Sequence, residues 1–354
     1  MHRVLIITPI YPPAVGGAAN YSFGLKQYLD SKSIEAYIFT EKMSECPHDD
    51  KIFRLIPQRY SKKRGLLLDI FLYVIQNIVY LSIFNLVIKG KVDTILLHSS
   101  FLYFPNILHL IIKLIKIYKK EINIIVDIRD NKFHRQLSKI DKISDKIITC
   151  SLAALKDIKN HDINDKVYYL PVPLDIKNIL EIKSKYKQGS KKIVFWSGII
   201  GGAKNFFDTY EALRKSKYQN HEIIVSGYVK KNSERRFFHL LETDKNLTYV
   251  GPISHHENLK LLSRSDLMVF ISKSEGVPRI CLEASYLAKK NIFPNEIEEL
   301  KKICPEAVFS GSTVSDLIKK LNEVFANSQN INFAELDEFE EYKVFAKLEK
   351  LIND

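Results

Sequence analysis

Apolar residues in this chain come in short unbroken runs separated by longer amphipathic stretches. Val4 to Thr8 is such a run, and others are Ala36 to Phe39, Thr94 to Leu97, Ile122 to Val126 and Lys146 to Thr149. Unbroken runs of this length mark strands buried on both faces, as in a parallel sheet. Pro9-Ile10-Tyr11-Pro12-Pro13 stops the first run, and Gly16-Gly17 lead into a helical pattern from Ala19 to Leu29. The theme returns at Lys192 to Trp196, Glu222 to Ser226, Leu247 to Val250 and Leu267 to Ile271. Strands alternating with helices predict an α/β fold, with parallel sheets covered by helices on both faces. Between the halves, Tyr169-Leu170-Pro171-Val172-Pro173-Leu174-Asp175 precedes a lysine-rich polar stretch. Paired prolines and polar residues predict a boundary. The chain therefore reads as two doubly wound domains, 1–175 and 190–335, with a linker at 176–189. A last helical pattern, Phe339 to Ile352, carries Tyr342, Phe345, Leu348 and Leu351 on its apolar side. The helix 339–354 is expected to cross back to the first domain.

One stretch departs from the alternation. Gly65 to Ile88 is apolar except for Asp69, Gln76 and Asn77, with Lys62-Lys63-Arg64 before it and Lys89 and Lys91 after it. Three readings fit: a buried or half-buried helix, an interfacial helix on an anionic membrane face, or a span, for which ~20 apolar residues suffice. A span would break the alternating pattern. A second cationic helix, Asn106 to Lys120, carries Lys113, Lys116, Lys119 and Lys120 on an apolar body, and both non-spanning readings apply to it.

A length of 354 residues suits two ordinary domains, and 46% apolar with 27% charged residues is a globular balance. Met1-His2-Arg3 runs straight into VLIIT without a small-residue cleavage site, so no signal peptide is expected. The four cysteines, Cys46, Cys150, Cys281 and Cys304, are scattered and form no Cys-x-x-Cys pair. That predicts neither a zinc site nor a disulfide framework, but reduced thiols in a cytoplasmic protein. The net charge of +12 admits nucleic acid, an anionic membrane face or phosphorylated small molecules as partners. The lysines are spread along the chain and no nucleic-acid-binding motif is present, which speaks against nucleic acid.

Two glycine-rich loops follow strands and open helices: Val15-Gly16-Gly17-Ala18 and Ser197-Gly198-Ile199-Ile200-Gly201-Gly202-Ala203-Lys204-Asn205. Each fits either a tight strand-to-helix turn or an anion cradle of backbone N–H groups. Lys204 adds a full positive charge to the second. Neither is a P-loop or GxGxxG fingerprint. Between Ser274 and Ala284 lies SEGVPRICLEA, with Glu275 and Glu283 eight positions apart. Pro278 suits a first helical turn, so a helix is expected from Val277 or Pro278 through Ala288. Glu275 then sits in a loop at the carboxyl end of a strand, the edge where open α/β sheets bind ligands. Glu283 sits about five residues into the helix between Leu282 and Ala284, and an enclosed carboxylate needs hydrogen-bond donors such as ligand hydroxyls.

SEGVPRICLEA resembles the Glu-x7-Glu motif of glycosyltransferase family 4, the retaining, metal-independent sugar-nucleotide transferases. TPIYPPAVGGAANY, ILLHS, YLPVPLD, IIVSGY and YVGPISHHENLKLLSRSDLMVFISKSEG resemble the family's other landmarks in the right order, over roughly residues 1–330. The resemblance implies a GT-B fold: two Rossmann-like doubly wound domains facing a central cleft. The first domain would be the acceptor side and the second would hold the nucleotide sugar. It implies that Glu283 binds the ribose, Glu275 faces the donor sugar, and Gly276, Val277 and Pro278 lie along sugar and diphosphate. Lys204, with Gly198 beside it, would neutralise the diphosphate, which Gly16 and Gly17 would approach from the first domain. His98 ends the strand that resembles the family's, and fits a cleft role or a capping one.

Two departures matter. The family has Gly-Arg in its second loop, where this chain has Gly198-Ile199, so a bidentate phosphate contact is lost. Arg279 either substitutes in part or points to solvent. Where the family has His-Asp, this chain has Val126-Asp127-Ile128-Arg129-Asp130, similar to a subgroup active in surface-polysaccharide assembly. Asp127, Arg129 and Asp130 are assigned to the acceptor or sugar side. His255 and His256 are read as surface residues. No Asp-x-Asp follows a strand, so no metal and no cofactor is called for, and Lys204 with Glu275 and His98 form the candidate catalytic set. The expectation is a retaining transferase on the inner face of the cytoplasmic membrane. It would use a UDP- or GDP-sugar to extend a lipid-linked acceptor for O-antigen, capsule or lipopolysaccharide. The alternative is a non-catalytic sugar-nucleotide binder with a degenerate site.

Overall fold

The computed structural model describes residues 2–14, 16–41, 49–56, 66–102, 107–129, 133, 136–161, 163, 165–186, 189–273 and 275–354. The candidate Asp130, the basic run Lys62-Lys63-Arg64, and Cys46 lie outside these residues. The chain divides into two compact units, 1–171 with 342–354, and 172–341.

The first unit runs β1 (Arg3–Ile7), α1 (Gly17–Ser31), β2 (Glu35–Glu41), β3 (Ile52–Ile56), α2 (Leu66–Ile88), β4 (Thr94–His98), α3 (Leu108–Tyr118), β5 (Asn123–Ile128), α4 (Leu137–Ile143), β6 (Lys146–Thr149), α5 (Leu152–Lys159) and β7 (Val167–Tyr169). Its sheet has the order β3-β2-β1-β4-β5-β6-β7, and each pairing is parallel. Side chains alternate between two cores. Leu5, Ile7, Ile95, Leu97, Ile124 and Val126 enter one, with Tyr80, Ile83, Ile111 and Ile112 of α2 and α3. Val4, Ile6, Leu96 and Ile125 enter the other, with Leu25 and Leu29 of α1. The apolar runs are unbroken because both faces of each strand are covered.

The second unit runs α6 (Ile176–Lys185), β8 (Ile193–Ser197), α7 (Phe206–Arg214), β9 (Glu222–Ser226), α8 (Glu234–Thr243), β10 (Leu247–Gly251), α9 (His255–Arg264), β11 (Leu267–Val269), α10 (Arg279–Tyr286), β12 (Lys290–Pro294), α11 (Glu298–Ile303), β13 (Val308–Phe309), α12 (Val314–Ala326) and α13 (Phe333–Asp337). Its parallel sheet has the order β10-β9-β8-β11-β12-β13. Trp196, Phe206 and Phe237 anchor its core at ring-centroid distances of 5.0 and 5.4 Å. α14 (Glu341–Asn353) closes the chain.

The stretch read as a linker, 176–189, is largely the helix α6. Asp175 caps it by accepting the Asn178 N–H at 3.0 Å, and Ile179 and Ile182 are buried. Lys183 Nζ donates to the Tyr286 carbonyl at 3.3 Å, so α6 is part of the second unit. Val344, Phe345, Leu348 and Ile352 of α14 are buried in the core that contains Val4 and Leu25 of the first unit. Tyr342, expected on the apolar side, is 57% exposed. Tyr28 Oη donates to Glu349 at 2.6 Å, and Lys146 Nζ to the Leu351 carbonyl at 2.7 Å.

α2 buries Tyr80, Ile83 and Val87 while Val74, Ile78, Leu81 and Ile88 are exposed. Among the described residues no helix is long and apolar enough to cross a membrane.

Candidate functional site

In the second sheet the strand order reverses between β8 and β11. Loops from the two strands diverge at such a switch point and leave a crevice at the carboxyl edge. The loop after β8 begins at Gly198 and is laid against β9's exit: Gly198 N–H donates to Ser226 O at 3.0 Å and Ile200 N–H to Tyr228 O at 2.8 Å. Close approach here requires Gly227. Its φ is +126°, and a Cβ there would stand 1.8 Å from the Gly198 carbonyl oxygen. The loop ends at Lys204 and Asn205, the latter left-handed at φ 52° before α7. Lys230 lies against Gly202, so a second amine borders the loop.

Lys204 is turned inward. Its Nζ pairs with Glu275 and lies 4.4 Å from the centre of the Phe270 ring. Ser272 Oγ donates to Glu275 Oε1 at 3.1 Å. Lys273 N–H donates to Ala203 O at 2.9 Å, tying the loop after β11 to the loop after β8. The structure thus joins two of the expected residues, Lys204 and Glu275, from different loops. The charges are about one-quarter exposed, 26% and 25%, so a ligand can reach them.

Gly276, Val277 and Pro278 lead into α10, with Pro278 as its N-cap and Arg279 as its first residue. The helix ends at Tyr286, earlier than the expected Ala288, which takes a left-handed φ of 56°. Cys281 through Tyr286 are all buried, and burial pushes the Cys281 thiol well above its ordinary value. Glu283 is 3% exposed. Its Oε1 lies 2.6 Å from Nε2 of His255. His255 is therefore no surface bystander, as its place before a helix had suggested. It is the first residue of α9, whose cap Ser254 accepts the Glu257 N–H at 3.2 Å. The serine cap was legible in Ser254-His255-His256-Glu257; the contact with a carboxylate 28 positions away was not. Arg279 lies in the electrostatic reach of Glu341, whose carboxyl burial raises above the usual glutamate value.

The other candidates sit in the first unit. Gly16 is the N-cap of α1, Gly17 its first residue, and no side chain caps it. His98 ends β4 in register with Asp127 of β5. His98 Nδ1 accepts the Ser100 N–H at 3.2 Å, which leaves the ring proton to Nε2. Arg129 Nε donates to both oxygens of Asp127, at 2.8 and 2.9 Å. Its guanidinium lies 3.8 Å from the centre of the Tyr21 ring. Asp127 is 2% exposed, so its charge is spent on Arg129 rather than turned to solvent. Among the described residues no cluster of three or more His, Cys, Asp or Glu is placed to hold a metal.

Residues 178–335 match the family model described as glycosyl transferases group 1. Over this segment the chain is similar to group 1 glycosyl transferases. The segment contains Gly198, Lys204, Glu275, Glu283 and His255. No curated protein matches the chain at a significant level. Solved structures do. Sucrose-phosphate synthase from Thermosynechococcus elongatus superposes with a TM-score of 0.77 at 13% identity, covering 100% of this chain and 98% of that one. The lipopolysaccharide outer core galactosyltransferase WaaB gives 0.70 at 13%, covering 100% and 99%. The catalytic domain of starch synthase IV from Arabidopsis thaliana, bound to ADP and acarbose, gives 0.69 at 12%, covering 100% and 99%. These likenesses establish the GT-B fold, with two Rossmann-like units, for this chain.

Proposed function

We propose that this protein moves a sugar from a nucleotide-sugar donor to a lipid-linked glycan acceptor, with retention, in surface polysaccharide assembly. The observation that carries the reading is the Lys204–Glu275 pair at the switch point, with Glu283 behind it on α10. When the sugar–oxygen bond breaks, charge develops on the diphosphate leaving group. Lys204 is the full cation placed to stabilise it, aided by backbone N–H groups at the start of α10. Binding would transfer Lys204 from Glu275 to the diphosphate and free Glu275 for the donor sugar's hydroxyls. Glu283 accepts from the ribose hydroxyls. His98, Asp127 and Arg129 in the first unit would serve the sugar and acceptor. ADP bound to starch synthase IV and the lipopolysaccharide substrate named for WaaB support a nucleotide donor and a surface-glycan acceptor here.

The same reading places the protein on an anionic membrane surface. α3 exposes Leu110, Leu114, Ile117 and Tyr118, and its neighbour α2 exposes Val74, Ile78, Leu81 and Ile88. Exposed large apolar side chains grouped on adjacent helices mark a docking face. Lys89, Lys91, Lys113 and Lys120 are exposed in or beside these helices, which favours an anionic lipid surface over an apolar protein partner. Each lysine near such a surface contributes about 1 kcal/mol.

A second reading is a non-catalytic sugar-nucleotide binder. Ile199, 47% exposed where the family has arginine, favours it. One experiment separates the two: incubation with UDP-, GDP- and ADP-sugars plus membrane lipid extract, read as free nucleoside diphosphate. Release that depends on the extract supports transfer. Nucleotide binding without release supports the binder.

A further inference from the structure

The buried carboxylate of Glu283 is not left to the ligand alone. A carboxylate only 3% exposed needs donors when no ligand is bound. Among the described residues its hydrogen-bond partner is His255, with Nε2 at 2.6 Å from Oε1. The carboxylate accepts, so Nε2 carries the proton.

His255 is held in turn. Asn258, three positions further along α9, has its Oδ1 within 3.1 Å of Ser197 Oγ and 2.7 Å of Ser226 Oγ. Its Nδ2 donates to the carbonyls of Ile253 and Ser254 at 3.3 and 3.1 Å. The first turn of α9 is thereby fastened to the carboxyl ends of β8 and β9, and this sets the position of the imidazole. Glu341, at the start of α14, lies within electrostatic reach of both His255 and Arg279 of α10.

An ionised carboxylate offers about four lone-pair positions. His255 takes one on Oε1, which leaves Oε2 and the second lone pair of Oε1 for two neighbouring hydroxyls. We infer that His255 is a positioning residue for the donor's ribose: it holds the Glu283 carboxylate in the one orientation that meets both ribose hydroxyls. It acts through Glu283 and not on the reacting atoms. The inference rests on the reading of the second unit as a nucleotide-sugar site.

The test is calorimetric binding of UDP, GDP and ADP, and of their 2′-deoxy and 3′-deoxy forms, to the full chain as wild type, His255→Ala and His255→Gln. The ribonucleotide that the wild type binds should bind His255→Ala on the order of tenfold more weakly, since one hydrogen bond to a charged group is lost. His255→Gln, whose amide N–H reaches the same oxygen, should recover most of that loss. For the deoxy forms the wild type and His255→Ala should differ little, because a hydroxyl that Glu283 serves is gone. In turnover, the donor KM should rise while kcat stays within twofold. Equal affinity of wild type and His255→Ala for the ribonucleotide overturns the inference. So does a loss that persists undiminished in both deoxy forms, which marks a general disturbance of the site. If the wild type binds none of the three nucleotides, the nucleotide-sugar reading fails and this inference falls with it.

Discussion

Replacing Lys204 with Ala separates folding from chemistry. In the free protein its Nζ pairs with Glu275, and both side chains are about one-quarter exposed, 26% and 25%. An ion pair with that access to water is screened, and such pairs are worth about 0–1 kcal/mol. The ammonium also lies over the Phe270 ring, which adds a modest cation–π contribution. Unfolding stability should therefore drop by no more than about 1.5 kcal/mol. Turnover has a different scale. Removing one preorganised group from a developing anion costs about 2.7–4 kcal/mol in known cases, or 100- to 1000-fold in kcat. The proposed site has Ile199, not a second cation, beside Gly198, so the loss should lie toward the upper end. The assay is release of nucleoside diphosphate from the active donor with lipid extract, alongside thermal unfolding of the same samples. A variant that folds normally and turns over within threefold of wild type refutes the assignment of Lys204.

Other consequences are equally specific. Gly227→Ala should be strongly destabilising, because a Cβ would stand 1.8 Å from the Gly198 oxygen and φ is +126°; near-wild-type thermal unfolding would contradict the loop geometry. Leu348→Ala empties a fully buried position of α14 in the first unit and should cost about 2–5 kcal/mol in denaturant unfolding. Asp93 is pushed up by burial but held below its ordinary value by Lys119 and Arg3. Its stabilisation is therefore present above the unfolded value of 3.8 and lost as pH falls through the lower folded value. Asp93→Asn should accordingly be less stable than wild type at neutral pH and converge with it in strong acid, as followed by unfolding across pH. Leu114→Glu with Ile117→Glu should abolish sedimentation with phosphatidylglycerol vesicles. High salt should weaken the wild-type interaction, and equal recovery in the supernatant with and without anionic lipid would sink the docking face.

The long buried strands were legible because coverage on both faces leaves an unbroken apolar run. β2, β6 and β9 fall where the runs of Ala36, Lys146 and Glu222 placed them. Four others were not. β3, β7 and β13 lie at sheet edges, where β3 reads Ile-Phe-Arg-Leu-Ile, β7 has three residues and β13 has two, and the interior β12 begins with Lys290-Asn291 and ends in Pro294. Their pairing comes from the neighbouring strand and not from local pattern. The helix α6 was hidden by its lysines, although Asp175 and the spacing of Ile176, Ile179 and Ile182 carried the signal. At the site, Glu275 and Glu283 were visible as a spaced pair, since turn chemistry places one in a loop and one in a helix. Their partners were only half visible. Lys204 announced itself at the end of a glycine loop. His255 did not, because its meaning lies in the packing of α9 against α10. For Arg129 the charge was visible but its pairing with Asp127, two positions away, was not.

The most direct test of the account follows a labelled sugar. A donor radiolabelled in its sugar is incubated with membrane lipid extract and either the wild type or Glu275→Ala. With wild type, label should enter the lipid fraction mole for mole with nucleoside diphosphate released, and Glu275→Ala should bind the nucleotide yet transfer almost none. Label that stays in the donor with wild-type protein, or full transfer by Glu275→Ala, would contradict it.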